Sequence, residues 1–288
     1  MTPARAAGLL AAAALGLAPV PARAQGIRDN SFLLEEAYNQ EAGVVQHVGV
    51  LHHAEAGRGW LFTFSQEWPL WSQRHQLSYS VPFTGGSDQS GLGDVGVHYR
   101  YQLLGGGAER LAVAPRLSAF VPTGNTDDAT GSGSVGVQVG LPASVELGPR
   151  FAGHVNVAAT LTPSSENPAG GAATAFDLAA GASLVWLAAP WMNFLVEGVW
   201  ARVEEVTGPG ATSARNSTWL NPGVRFAWNL PGGRQVVPGL SYTFGVGPET
   251  SGESLLLVYL SFEHPFSAAG TPAGTPAGHL RGAAQGVR

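Results

Sequence analysis

The sequence predicts an all-β protein, namely a transmembrane up-and-down antiparallel β-barrel of about twelve strands. Three observations predict it. Apolar and polar residues alternate in many segments, turn residues separate these segments, and the connections between them are alternately short and long. A period of two residues is the signature of β-strands, and alternating short and long connections are typical of barrels in the bacterial outer membrane.

The composition of the 288-residue chain excludes several kinds of protein. Charged residues make up 12%, hydrophobic residues 44%, and the net charge is −5. Disordered chains carry more charge and nucleic-acid-binding domains are basic, so neither class fits and no nucleic-acid partner is expected. The absence of Cys and Lys excludes disulfides, Cys-ligated metals and lysine-dependent phosphate loops.

Residues 1–24 have the pattern of a secretory signal peptide. Arg5 gives a positively charged start, residues 6–20 form an apolar run, and residues 22–24 (ARA) form a small-x-small cleavage site. The apolar run is shorter than the ~20 residues that a membrane-spanning helix needs. We therefore expect cleavage after Ala24 and export from the cytoplasm.

Alternating segments predict twelve strands between residues 44 and 266. In the clearest of them, residues 91–104, Val95, Val97 and Tyr99 share one face, and His98 and Arg100 share the other. The predicted strands are 44–54, 59–69, 73–82, 91–104, 109–122, 131–147, 149–163, 172–187, 190–206, 216–229, 234–245 and 252–264.

The connections between these strands fall into two alternating sets. The short set is 70–72, 105–107, 148, 188–189 and 230–233, and the longer, polar set is 54–58, 83–90, 123–130, 164–171, 207–215 and 246–251. Short periplasmic turns and long outer loops explain this alternation, and an even strand number puts both ends of the barrel in the periplasm. Residues 44–266 therefore form the barrel. Residues 267–288, with a Gly-Thr-Pro-Ala repeat, are expected to be a disordered tail.

A barrel with this pattern is soluble or crosses a membrane, depending on which face is inside. Three features favour an apolar face that contacts lipid. Most Trp residues lie near strand ends, the polar face has only scattered charges, and the last strand ends at an aromatic residue, Phe266. We therefore expect a monomer in the outer membrane, with the lipid bilayer and the outer-membrane assembly machinery as partners.

Several short motifs carry a family resemblance. They are residues 35–41 (EEAYNQE) with 43–47 (GVVQH), 91–94 (GLGD), 122–124 (PTG) and 261–266 (SFEHPF). These motifs are similar to segments of the meta-pathway phenol-degradation family of outer-membrane proteins, and the likeness covers roughly residues 31–266. The resemblance implies passage of small, often aromatic or hydrophobic, compounds.

Side chains on the inner face decide whether solutes pass, because barrels of ~8 strands are filled and those of ~16 hold a channel. The predicted constriction residues are Asp94, His98, Arg100, Arg116, His154, Asp177, Glu197 and Arg225. A hairpin symmetric about residue 211 predicts Glu197 opposite Arg225, and unpaired Arg100 and Arg116 would favour anions. Two interpretations stay open, namely a charged constriction that filters solutes and a strut that satisfies polar groups in the lumen.

Residues 25–43 precede the first strand. Phe32 and Leu34 give this stretch an apolar side, and Glu35 and Glu36 give it charge. One interpretation is a lumen plug, with Glu35, Glu36 and Tyr38 as the plug candidates and with the carboxylates on lumenal Arg side chains. The other interpretation is a periplasmic lead-in to the barrel.

The leading functional hypothesis is a channel for small solutes that needs no cofactor. The alternative is a non-conducting structural barrel that displays its outer loops. No metal site is expected, since His52 and His53 are adjacent in a strand and point to opposite faces. Ser144 and His154 can meet across a short turn, but no activating acid is evident, so neither catalytic residues nor an enzyme are predicted.

Overall fold

The fold comes from a computed structural model that describes residues 31–55, 59–86, 90–105 and 109–266. The predicted signal peptide (1–24) and tail (267–288) lie outside the described residues. No helix in the described part of the chain is long and apolar enough to cross a membrane.

Antiparallel strands make up nearly all of the described structure. They are β1 (Val44–Ala54), β2 (Gly59–Leu70), β3 (Ser72–Gly85), β4 (Ser90–Leu92), β5 (Val95–Tyr101), β6 (Leu111–Val113), β7 (Arg116–Val121), β8 (Gly136–Glu146), β9 (Phe151–Glu166), β10 (Ala172–Ala189), β11 (Met192–Gly208), β12 (Ala211–Phe226), β13 (Trp228–Leu230), β14 (Arg234–Gly245) and β15 (Ser254–Pro265). They pair in the order β12-β11-β10-β9-β8-β7-β5-β3-β2-β1-β15-β14, with β4 on β3, β6 on β8, β13 on β14, and β12 on β14.

These segments form a closed barrel of twelve strands. Three of the twelve are interrupted, because β4 and β5, β6 and β7, and β12 and β13 each follow one path around the wall. The first of these breaks falls at Gly93 and Asp94, where the side chain of Asp94 bonds to an outer loop instead of continuing the pattern of the strand. The prediction of an all-β, up-and-down barrel of about twelve strands is confirmed.

The hairpin between β11 and β12 differs from its prediction. We predicted a loop at residues 207–215, but β11 runs to Gly208 and β12 begins at Ala211. Gly210 has a positive φ of 68°, which permits the tight link. The polar residues that resembled a loop are paired strand residues beyond the apolar band, where water can solvate both faces.

The barrel has apolar residues on its outer face and polar residues on its inner face, the reverse of a soluble barrel. On β7, Leu117 is 53% exposed on the outer face, while the adjacent Ser118 is 1% exposed on the inner face. Trp71, Trp191 and Trp228 are exposed at strand ends, where they form part of an interfacial aromatic girdle. An apolar exterior over a polar interior requires lipid around the barrel. The protein is therefore an outer-membrane protein in contact with the lipid bilayer, as predicted.

Candidate functional site

Residues 31–40, which we call the N-terminal segment, lie inside the barrel against its inner wall. The segment has no regular secondary structure. Inward side chains of the wall therefore replace the missing backbone partners. The side chains that bond it are Ser183 on β10, Glu197 on β11, Asn156 on β9, Ser144 on β8, Gln102 after β5 and Gln76 on β3. Since these strands are neighbours, the segment follows an arc around the wall.

Glu197 holds the start of this segment. Its carboxylate accepts hydrogen bonds from the backbone N–H groups of Phe32 (3.3 Å), Leu33 (2.9 Å) and Leu34 (3.1 Å). The amide of Asn221 donates a further hydrogen bond of 2.6 Å to the same group. A fully buried carboxylate needs such donors, so Glu197 and the segment stabilise each other.

The predicted pairing of Glu197 with Arg225 is wrong. Glu197 lies opposite Asn221, and Arg225 lies opposite Asn193, to which its Nε donates at 3.3 Å. The cause is the hairpin turn, which is centred near residues 209–210 and not at 211, so the register shifts along both strands.

Phe32 anchors the segment in an apolar pocket of the lumen. Its ring packs edge-on against Tyr259 at 5.7 Å, and the Arg225 guanidinium lies 5.9 Å from the ring centre. Gly223 and Gly239 face the ring, and a Cβ on either one would collide with it. The pocket therefore depends on the absence of side chains at these two positions.

Arg100 and Arg116 hold the middle of the segment. They lie directly opposite each other on β5 and β7, where two like charges repel. The Glu35 carboxylate compensates for both charges, since it forms an ion pair with Arg116 and lies 3.8 Å from Arg100. The expectation that unpaired Arg side chains favour anions therefore does not apply while Glu35 is in place.

Arg100 also binds the backbone of the segment. Its guanidinium donates to the carbonyl oxygens of Glu36 (3.0 Å) and Tyr38 (2.6 Å) and to the side chain of Asn39 (2.9 Å). Four groups of one segment thus converge on one buried cation when Glu35 is included. Such charge-assisted hydrogen bonds are stronger than neutral ones.

His154 and Ser144 are joined by a hydrogen bond across the turn between β8 and β9. Ser144 Oγ lies 2.8 Å from His154 Nδ1 and accepts the N–H of Ala37 at 2.7 Å. Both side chains are buried. Together with Tyr38 and Arg225 they line a recess that is open to solvent beside the turn between β8 and β9.

Three predicted constriction residues lie away from the segment. Asp94 accepts hydrogen bonds from Gly124 N and Ser132 N, and therefore ties an outer loop to the wall. Asp177 accepts the N–H of Glu204 where the pairing of β10 and β11 ends. His98 lies nearer the outside than Arg100, with Nε2 2.9 Å from Ser80 Oγ. Both Asp side chains accept hydrogen bonds from backbone N–H groups, and their role at a constriction stays a prediction.

The family model described as "Putative MetA-pathway of phenol degradation" matches residues 25–260. The chain belongs to this family. No curated protein sequence matches the chain.

Two solved structures show a similar fold. The COG4313 outer membrane channel from Pseudomonas putida F1 gives a TM-score of 0.61 at 14% identity, covering 79% of this chain and 97% of that one. The NanC porin gives a TM-score of 0.52 at 8% identity, covering 76% of this chain and 98% of that one. At these identities the likeness concerns the fold alone.

Sequence reasoning missed most of the uncharged side chains that seat the segment in this phenol-degradation family member. They are Gln76, Gln102, Ser183 and Asn221. The one feature of the sequence that could have identified them is their position on the inner face of strands in which polar and apolar residues alternate. There an amide or hydroxyl can form a hydrogen bond with a backbone group. In the described residues, no cluster of three His, Asp or Glu side chains is arranged to hold a metal ion.

We expect Glu197→Gln to loosen the N-terminal segment. A neutral amide replaces a carboxylate that accepts hydrogen bonds from three backbone N–H groups. The free energy that keeps the segment bound to the wall should therefore fall by about 1–2 kcal/mol. Because the chain has no Cys, Ser31→Cys provides a single buried thiol, and its labelling by a maleimide should accelerate about tenfold in the Glu197→Gln background. Glu205→Gln, an exposed change on the same strand, is the control, and equal labelling rates in both variants would contradict the prediction.

Proposed function

We propose that this member of the phenol-degradation family is a channel for small solutes, narrowed on its periplasmic side by residues 31–40. One observation carries the proposal. A segment without secondary structure is held inside the barrel by side chains from six wall strands, which is unnecessary for a barrel that only displays loops. In this proposal the segment acts as the plug of the sequence hypothesis, in the form of an arc on the wall.

The fold neighbours support a channel over an enzyme. A channel and a porin share the fold, and Ser144, the one hydroxyl with a His partner at the recess, is occupied by the backbone of Ala37. The resemblance to the phenol-degradation family makes small aromatic or hydrophobic compounds the first solutes to test. The protein would act as a monomer and without a cofactor.

We expect the refolded protein to give discrete conductance steps in planar bilayers. The reason is that a twelve-stranded wall is wider than the filled barrels of ~8 strands, while the segment takes up only part of the inner circumference. Heat-modifiable mobility on a gel checks folding. A folded barrel that shows no steps, even after the segment is deleted, would indicate the structural alternative.

Neutralising Glu35 should shift the selectivity of the channel towards anions. Glu35→Gln leaves Arg100 and Arg116 without their shared carboxylate, so the lumen gains positive potential. We expect the ratio of chloride to potassium permeability, measured from the reversal potential in a salt gradient, to rise several-fold. Glu205→Gln serves as a control of equal charge change, and a rise of the same size in that variant would refute the assignment to Glu35.

A further inference from the structure

A row of polar side chains crosses the inner wall on the outer side of the N-terminal segment. Its members are directly opposite one another on successive strands from β2 to β10. They are Glu67, Ser78, His98, Ser118, Gln138, Thr160 and Asp177. We call this set the polar row. No apolar residue interrupts it, although apolar residues are common on the inner wall elsewhere, for example Val237 and Leu257.

The polar row climbs through the membrane. Glu67 lies near the periplasmic end of β2, which finishes at Leu70, while Asp177 lies near the outer end of β10, which begins at Ala172. A row perpendicular to tilted strands rises around a barrel in this way. The N-terminal segment binds one step nearer the periplasm, since Gln76 and Arg100 each lie two residues from a member of the row.

Two side chains in the middle of the row have unused hydrogen-bonding atoms. His98 Nδ1 and Ser118 Oγ are buried, and the described residues offer neither atom a hydrogen-bond partner. The two residues are directly paired across β5 and β7, so their Cβ atoms are about 5 Å apart. The His98 ring is fixed by Ser80 and by Phe120, which packs edge-on at 6.0 Å. Buried polar atoms without a protein partner are rare and are satisfied by an ordered water, an ion or a ligand.

We propose that the polar row is the path for uncharged solutes that carry hydroxyl groups, with His98 and Ser118 as its central binding step. A hydroxyl group both donates and accepts, so one solute oxygen can bond to Nδ1 and to Oγ at once. The five middle members of the row are Ser, His, Ser, Gln and Thr. None of them is a carboxylate or a guanidinium that could replace the hydration shell of an ion, so the row favours uncharged solutes. This inference rests on the proposed channel function.

The test compares entry of glycerol and erythritol into proteoliposomes, measured by swelling, with chloride conductance of the same protein. Ser118→Ala and His98→Leu should each slow polyol entry about fivefold, the effect of one lost net hydrogen bond, and leave chloride conductance within the scatter of the wild type. Ser241→Ala is the matched control, because Ser241 Oγ is also buried without a partner in the described residues but lies on β14, off the row.

The outcomes separate the two proposals. Polyol entry that is slowed by the row variants and not by Ser241→Ala supports the polar row. Unchanged polyol entry in the row variants, or equal slowing by Ser241→Ala, overturns the row but leaves the channel intact. Wild-type vesicles that neither swell nor conduct overturn the channel function, and the row with it.

Discussion

Deletion of residues 25–40 should raise single-channel conductance on the order of tenfold, because the inner width of a twelve-stranded barrel then becomes available to ions. We expect the wall to keep all of its strand pairings. The backbone of the segment bonds to side chains of the wall and takes no part in the hydrogen bonds between strands. The measurement is conductance in planar bilayers at one salt concentration.

The control for this deletion is a chain shortened at the other end. Removal of residues 267–288 takes away the stretch that follows the last strand, and it should leave conductance unchanged. If the two truncations conduct equally, the segment does not limit passage. In that case the constriction must lie elsewhere in the barrel, and the proposed role of residues 31–40 fails while the fold stands.

Gly239→Ala should expel Phe32 from its pocket. A Cβ at residue 239 would lie 2.5 Å from Phe32 Cε1 and 2.9 Å from Arg225 Cγ, and overpacking of this kind costs about 1–3 kcal/mol. The wall is held at this strand by pairing with β12 on one side and β15 on the other, so we expect the segment to be the part that moves. We expect faster maleimide labelling of a Ser31→Cys thiol and higher conductance in the Gly239→Ala variant.

Two further variants make this prediction specific. Gly198→Ala adds the same methyl group on the outer face of β11, where nothing lies within 4 Å, and it should change neither measurement. Phe32→Leu combined with Gly239→Ala makes room for the new methyl group and should restore slow labelling. If labelling stays slow in Gly239→Ala alone, Phe32 does not anchor the segment.

The strands were the part of the fold that alternation could predict well. The predicted bounds of 44–54 and 234–245 are those of β1 and β14, because both lie between clear turn residues and within the apolar band. The β11–β12 hairpin was mispredicted because alternation loses its meaning outside the membrane. There both faces are wet, and paired strands can be as polar as a loop.

The charged residues of the candidate site were the easiest to predict. Glu35, Arg100, Arg116 and Glu197 stand out because a charge on a barrel's inner face must find a partner. Which residues lie opposite one another depends on the register of the strands. Because the β11–β12 turn was misplaced, the prediction put Arg225 opposite Glu197, where the structure has Asn221. The glycines opposite Phe32 could not be recognised at all, since their role is defined by a ring more than 190 residues earlier in the chain.

The seating of the N-terminal segment has a consequence for biogenesis. Glu197 is 165 residues from Phe32 in the chain, and Gln76 is 36 residues from Gln40. The surface that receives the segment therefore exists only after the strands from β3 to β12 have come together. Contacts between residues far apart in the chain are slow to form, so we expect each new molecule to pass through a more permeable stage after insertion if the segment narrows the channel as proposed. The integrity of the cell's permeability barrier then depends on how fast this last step follows.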